Sequence, residues 1–209
     1  MTDDPVPGVT RPEAPITSPE RIRALAHPLR LELLDHLGDV ITATATECAE
    51  AVGESVASCS FHLRMLEKYG FIERAERRGR EKPWRVTQTA GFEMRPTPEE
   101  PDSYAAIAQI GAMEVLRESE RIQRFLAQLP HEDEAWGQGS TISQSSFWAT
   151  AEELKQLSTD LRELVRRFDG RAEDPAQRPP GARRARLFGV VNPDPILDHL
   201  RQDGHHHHD

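Results

Sequence analysis

Residues 44–87 constrain the fold of this chain more than any other stretch. Thr44 and Glu47 have the spacing of a capping box, in which two side chains satisfy backbone N–H groups at the start of a helix. Gly53 is placed to end that helix, and Ser55 can cap a second one directly after it. Two helices joined by a tight turn are therefore predicted.

The second of these helices, predicted over residues 55–69, has one apolar and one polar face. The apolar residues, expected to pack inward, are Val56, Cys59, Leu63 and Leu66. The opposite face carries Ala57, Ser58, Ser60, His62 and Arg64. Hydroxyl, imidazole and guanidinium groups can bond base edges or phosphates, and small side chains leave room for a groove. This face predicts a helix that enters the major groove of DNA.

A basic hairpin is predicted after this helix. Residues 71–75 and 84–87 indicate two strands, and Gly79 supplies the turn between them. Cations near the tip could reach the DNA backbone or a minor groove. These cations are Arg77, Arg78, Arg80 and Lys82.

Two more helices are predicted before this stretch. Ser18 and Pro19 indicate the cap and first position of a short helix. Leucines at helical spacing predict a second helix over residues 29–37, with Gly38 at its end and an extended link at residues 40–41.

Four segments follow one another in order: ALAHPLRLELLDHL, TATECAEAVG, SVASCSFHLRMLEKYGFIERA and GREKPWRVT. Together they resemble the winged helix-turn-helix of ArsR-like bacterial transcriptional regulators, over about residues 19–90. The resemblance implies a recognition helix at residues 55–69 and a DNA-binding wing at residues 76–83. The DNA contacts that it implies are Ser58, Ser60, His62 and Arg64 in the helix, and Arg77, Arg78, Arg80 and Lys82 in the wing.

Many members of that family sense metals, and this chain departs from their pattern. Their Cys-x-Cys pair is replaced by the single Cys48. Their second site uses Asp and His on a C-terminal helix, whereas the helix predicted over residues 104–129 contains no histidine. Since zinc-type sites need three or four ligands, we predict no metal site and no cofactor.

The net charge of −9 argues against nucleic acid at first sight. Its distribution matters more than its sum. Residues 64–85 contain eight basic and four acidic side chains, so this stretch carries +4 and the remainder carries −13. A basic patch on an acidic body would orient the protein on DNA and limit nonspecific binding.

The helix predicted over residues 104–129 has a stripe with alternating spacing of four and three, which is typical of a coiled-coil seam. The stripe consists of Ala108, Ala112, Val115, Ser119, Ile122, Leu126 and Leu129. We expect this helix to pair with its counterpart in a homodimer. The alternative is that this helix packs on its own domain, because an intramolecular core uses the same pattern.

Beyond Pro130, the sequence predicts a polar loop, a strand at residues 142–148, a helix opened by the capping box of Thr150 and Glu153, and a last strand at residues 184–191. The predicted fold class is therefore α+β and mostly helical. Its parts are a disordered arm (1–16), a winged helix-turn-helix head (17–90), a linker (91–103), a dimerisation or effector domain (104–200) and a His-rich tail (201–209).

Several residues have a structural and a functional interpretation. His62 contacts DNA or serves as a structural histidine. Cys59 is a core residue or a redox sensor. Trp136 and Trp148 line a ligand pocket or act as buried anchors. The histidines at residues 205–208 are an appended tag or a natural tail.

Two functional classes remain. The first is a homodimeric regulator that binds double-stranded DNA at a near-palindromic operator, with an effector small molecule as one hypothesis for its control. The second is a winged-helix module that binds protein. No catalytic constellation is recognised, so an enzyme is not predicted. The N-terminus lacks a signal peptide and no apolar run reaches the length of a membrane span, so we expect a cytoplasmic protein without membrane contact.

Overall fold

The structure, a computed structural model, describes residues 15–79, 81–87, 92, 94–172 and 174–193. They divide into a first unit, which extends to Asp133 and includes Asp169–Ala182, and a second unit of Glu134–Phe168 and the chain from Arg183 onward. The described residues are mostly helical with one small antiparallel sheet, which confirms the predicted fold class. The main elements are α1 (Pro19–Leu25), α2 (Pro28–Val40), α3 (Ala45–Val52), α4 (Val56–Lys68), β1 (Ile72–Arg74), β2 (Trp84–Val86), α5 (Asp102–Gln128), α6 (Glu134–Gln138) and α7 (Ala151–Glu163).

The start of α1 agrees with the sequence prediction, whereas the end of α2 does not. Ser18 caps α1 as predicted, since its hydroxyl accepts a hydrogen bond from the Arg21 N–H at 3.4 Å. The prediction that Gly38 ends α2 is wrong, because the helix continues to Val40 and Ile41 follows it with a φ of 62°. The expected extended link at residues 40–41 is therefore absent. The helix thus continues through Gly38, directly after the buried Leu37, although a glycine in a helix costs about 1 kcal/mol.

The helix-turn-helix itself forms as the sequence predicts. The Glu47 N–H donates to the Thr44 hydroxyl at 3.2 Å, and the Thr44 N–H donates to the Glu47 carboxylate at 2.7 Å. Gly53 ends α3 in the left-handed conformation, and Ser55 caps α4 by accepting from the Ser58 N–H at 3.1 Å. The three helix boundaries predicted from these residues, the start and end of α3 and the start of α4, are confirmed.

One apolar residue of α4 does not pack inward. Cys59, Leu63 and Leu66 are fully buried, whereas Val56 is 45% exposed. Val56 is the first residue of α4, and the buried residues begin one turn later. The prediction that Val56 belongs to the core is therefore wrong.

The hairpin is joined to the helices through Trp84. The strands pair in the register Ile72 with Val86 and Arg74 with Trp84. The Trp84 backbone also exchanges two hydrogen bonds with Ala43, at 2.7 and 3.0 Å. Because the Trp84 side chain is only 2% exposed, the base of the hairpin is part of the same core as α2, α3 and α4.

Helix α5 packs on α1 within the first unit. Ser103, Ala106 and Ile110 are buried there, and Arg117 forms an ion pair with Asp35 of α2 at 2.7 Å. The predicted seam lies on another face: its members Ala108, Ala112, Val115, Ser119 and Leu126 are exposed, and Ile122 and Leu129 are half-buried. The alternative that this helix packs on its own domain is confirmed for its first half, which packs on α1 through a face other than the stripe.

The predicted linker (91–103) overlaps the start of α5, which begins at Asp102. The described residues of this segment before Asp102 form neither a helix nor a named strand, but Met94 makes an isolated bridge to Ile16. Most of the predicted arm and the whole His-rich tail lie outside the described residues.

The second unit is less regular than the sequence suggests. The capping box of Thr150 and Glu153 opens α7 as predicted, and the short helix α6 occupies part of the predicted polar loop. The strands expected at residues 142–148 and 184–191 are wrong, because neither segment pairs with another part of the described chain. Alternation of apolar residues alone cannot make a strand that has no neighbour to accept its hydrogen bonds. Trp148, expected to be a buried anchor or a pocket residue, is exposed.

Among the described residues, no helix combines the length and apolarity that a membrane crossing requires.

The capping box allows a direct test of the fold. Thr44→Ala removes the side-chain acceptor for the Glu47 N–H and is expected to lower the free energy of unfolding of the head by about 1 kcal/mol. Thr44→Ser keeps a hydroxyl and should cost less. Thr150→Ala removes the same motif from α7, where no residue is buried, and should leave the unfolding of the head unchanged. Urea unfolding followed by circular dichroism measures all three, and equal losses for both alanine variants would contradict the assignment.

Candidate nucleic-acid interface

The predicted contact residues on α4 differ in their exposure. Arg64 is exposed, and Ser58 and Ser60 are half-buried. His62 is half-buried on the flank of the helix that faces α2, so the four residues do not share one open face. Phe61, which the sequence analysis did not single out, is 54% exposed beside Ser60. Phe61 lies four residues after Ala57 and three before Arg64. This helical spacing could have shown that Phe61 shares the predicted DNA-contact face.

A cleft of about 250 Å³ lies between the start of α3, the middle of α4 and the hairpin. It brings together three of the predicted contacts, Ser60, Arg64 and Lys82. It also adds Thr46 at the start of α3 and Arg74 of β1, which the sequence analysis did not assign to the site. The remaining lining residues are Thr44, Ala45, Glu81 and Trp84.

The chemistry of this cleft suits an anion. Three hydroxyl groups, from Thr44, Thr46 and Ser60, and three cationic side chains line it. The N-terminus of α3 adds the partial positive charge of a helix start. A phosphate group fits these donors, whereas Glu81 is the single carboxylate among the lining residues.

The wing turn is held by backbone and side-chain contacts. The Arg78 N–H donates to the Glu81 carbonyl at 2.9 Å, and the Glu81 N–H donates back to the Arg78 carbonyl at 3.3 Å. Gly79 lies in the turn with a φ of 66°, a conformation that glycine adopts without strain. Arg80, a predicted contact, lies outside the described residues.

Arg78 is tied to α3 by an ion pair with Glu47. The carboxylate of Glu47 also accepts the Thr44 N–H, and this hydrogen bond followed by Arg78 lowers the pKa of Glu47 below its usual range. The predicted DNA contact Arg78 therefore links the wing to the start of α3. Both side chains are well exposed, so the pair orients the wing more than it stabilises the fold.

Arg74 lies flat on the ring of Trp84, with its guanidinium carbon 3.3 Å from the ring centroid. It donates a hydrogen bond to the Lys82 carbonyl at 2.8 Å and lies 3.7 Å from Glu67. The guanidinium is thereby fixed at the edge of the cleft. The sequence hides this role, because only the strand register places Arg74 opposite Trp84.

The cations of the head fall into two groups. Arg74, Arg78 and Arg85 each have a carboxylate partner. Within the part of the chain that the structure describes, Arg64, Arg77 and Lys82 form no ion pair with a carboxylate. These three exposed side chains of α4 and the hairpin are therefore available to an external anion.

His62 lies against a second histidine. Its ring centroid is 4.2 Å from that of His27, with the planes tilted by 38°. Its Nδ1 is buried without a hydrogen-bond partner in the described chain. Burial lowers the pKa of His62, and His27 and Arg30 lower it further.

Residues 25–75 match a protein-family model described as a helix-turn-helix domain. This range covers α2, α3, α4 and β1. The head is a helix-turn-helix domain. The β1–β2 hairpin that follows α4 is the wing of this domain.

A solved structure also resembles part of the chain. It is the solution structure of a homodimeric winged helix-turn-helix DNA-binding domain, fragment 1–100, from Mycobacterium bovis, described as a possible ArsR-family transcriptional regulator. The identity is 21%, and the match covers 47% of this chain and 76% of the other, with a TM-score of 0.31. A comparison with curated protein sequences returns no match.

No group of three or more histidine, cysteine or acidic side chains that could hold a metal occurs within the described ranges. The absence of a metal site in the whole chain stays a prediction.

Both cysteines of the head are fully buried in the domain. Burial, with smaller contributions from Cys59 and Glu47, raises the pKa of Cys48 to about 12, and burial also raises the pKa of Cys59. Since the thiolate is the reactive form, the structure disfavours the redox interpretation of Cys59.

These pKa shifts predict slow thiol chemistry. At pH 7.5, iodoacetamide should alkylate Cys48 in the folded protein about a thousandfold more slowly than in the urea-unfolded chain, where a thiol has a pKa of about 8.5. Mass spectrometry of tryptic peptides measures both cysteines separately. Labelling of folded Cys59 at the rate of the unfolded chain would restore the redox hypothesis.

Proposed function

We propose that this protein is a DNA-binding transcriptional regulator of the ArsR-like type, with α4 in the major groove and the wing on the backbone or minor groove. The observation that carries the proposal is the cleft in which α4, the start of α3 and the wing present hydroxyl groups and cations to one side. A phosphate beside the major groove would meet these groups together.

The described residues support a division of roles. Ser60 and Arg64 lie where α4 borders the cleft and would contact base edges or adjacent phosphates. Lys82 and Arg77, which have no carboxylate partner among the described residues, would contact the backbone. Arg78 would reach DNA only by exchanging its Glu47 partner for a phosphate. Ser58, half-buried next to the α4 cap, and Arg80 keep the contact roles that the family resemblance implies.

The exposed stripe on α5 supports a homodimer. Its members repeat at coiled-coil spacing, and the face is uncovered within the first unit, whereas the opposite face packs on α1. Pairing of two α5 helices would set two heads on successive major grooves, about 34 Å apart, of a near-palindromic operator. We propose that the chain beyond the head serves this pairing or receives an effector, and that the first half of α5 shares the core of the head.

A protein-binding module is the alternative. One observation favours it: Val56 and Phe61 expose apolar surface on α4, near the residues proposed to contact DNA. Apolar side chains can contact thymine methyl groups, but they also occur at protein interfaces. DNA binding and its salt dependence separate the two functions.

Selection from a randomised duplex library, followed by fluorescence anisotropy at several salt concentrations, tests the proposal. Arg64→Ala is expected to weaken binding to the selected sequence by about 1–3 kcal/mol and to relax its selectivity. Lys82→Ala should weaken binding to every duplex and reduce the salt slope by about one. Lys155→Ala, an exposed cation of α7, is the matched control and should change neither quantity. No enriched sequence together with a shallow salt slope would favour the protein-binding module.

The homodimer has its own test. Val115→Glu and Leu126→Glu place a charge on the exposed α5 stripe and are expected to shift the protein from dimer to monomer. Ala127→Glu, next to Leu126 but off the stripe, adds the same charge and should leave the dimer intact. Sedimentation velocity measures the oligomeric state, and circular dichroism checks that each variant is folded. A dimer that survives both stripe variants would rule out this interface.

A further inference from the structure

The contact between His62 and His27 joins the flank of α4 to the start of α2. His27 is the residue directly before α2, and its side chain makes no capping hydrogen bond. The centroid of its ring lies 4.2 Å from that of His62, and the ring of Phe61 meets His62 edge-on at 5.1 Å. The two imidazoles therefore form part of the surface on which α4 rests.

The polar atoms at this contact are not satisfied by the surrounding protein. The Nδ1 atoms of both histidines and the Nε of Arg30 are buried without a hydrogen-bond partner among the described residues. An imidazolium has two N–H groups that require acceptors. This contact offers none at Nδ1, so it accommodates a neutral ring better than a protonated one.

The charges around His62, taken together, also disfavour its protonation. His27 from the start of α2 and Arg30 from α2 both oppose a positive charge on His62, and Glu54 from the turn between α3 and α4 is the carboxylate that favours one. The net influence of these neighbours, together with burial, disfavours protonation.

We propose that His62 is a positioning residue that holds α4 against α2 while its ring is neutral, and that acidification weakens DNA binding by loosening this contact. The DNA-binding part rests on the proposed function. This role differs from the direct DNA contact that the sequence suggests for His62. A histidine that touched phosphates would bind more tightly when protonated, so the two roles predict opposite responses to pH.

The pH range follows from the direction of the shift. The pKa of His62 is lowered in the folded protein, whereas an unfolded histidine titrates near about pH 6.5. Below that pH the unfolded chain binds the proton more readily, so stability rises with pH across this range. The stabilising contribution of the neutral His62 ring is complete above about pH 6.5 and is lost as the pH falls through the pKa of His62 in the folded protein. A single proton changes the folding equilibrium by at most about tenfold per pH unit.

The experiment compares the full-length protein with His62→Gln and His27→Gln, using His131→Gln, an exposed histidine beyond α5, as the matched control. Urea unfolding and binding to a selected duplex are measured from pH 7.5 to 5.5. In the wild type, affinity and stability should both fall on acidification, and the decrease should be smaller in His62→Gln and in His27→Gln. His131→Gln should follow the wild type.

Titration of the His62 ring by NMR keeps the test independent of the variants and of DNA. A ring that titrates below about pH 6.5 supports the positioning role, even if a variant fails to fold. A ring that titrates at or above that value overturns it. Wild-type affinity that rises on acidification, with the rise absent in His62→Gln, also overturns it and assigns His62 to DNA contact. Absence of DNA binding at every pH would refute the proposed function, while the ring titration would still decide the role of His62.

Discussion

The burial of Trp84 is the constraint on which the rest of the head depends. Its backbone pairs with Ala43, directly before the capped start of α3, and with Arg74 across the hairpin. Its side chain fills the core, and the guanidinium of Arg74 covers its ring. One residue thus fixes the wing relative to the helix-turn-helix. Residues of α3 and α4 line one side of the cleft and residues of the hairpin line the other. The connection through Trp84 therefore sets the shape of the cleft.

Carboxylates that pair with cations shape the candidate interface as much as the positive charges themselves do. In a chain with a net charge of −9, residues 64–85 carry a local excess of positive charge, yet several of their cations lie beside carboxylates. Exposed ion pairs of this kind add little stability, but they orient Arg74 and Arg78. Arg64, Arg77 and Lys82, which have no carboxylate partner among the described residues, are available to attract an anion. Such a surface favours selective over indiscriminate attraction to DNA.

Much of the head was predictable from the sequence, because its signals are local. A capping box at Thr44 and Glu47, a left-handed glycine at residue 53 and a serine cap at residue 55 each act over three or four residues. Where the prediction failed, local signals were not sufficient. Gly38 continues the helix to Val40, and the strands expected in the second unit are absent because neither segment pairs with another part of the described chain.

The candidate site shows the same difference between what local sequence predicts and what tertiary contacts decide. The sequence by itself identified the candidate DNA contacts, since hydroxyl and cationic side chains recur at helical spacing on α4 and cluster in the hairpin. Only the tertiary structure decided which of them are available. It brought Ser60, Arg64 and Lys82 into one cleft with Thr46 and Arg74, paired Arg78 with Glu47 and placed His62 against His27. The physical reason is that side-chain type is local, whereas exposure and pairing depend on residues that are remote in sequence and meet only when the core forms.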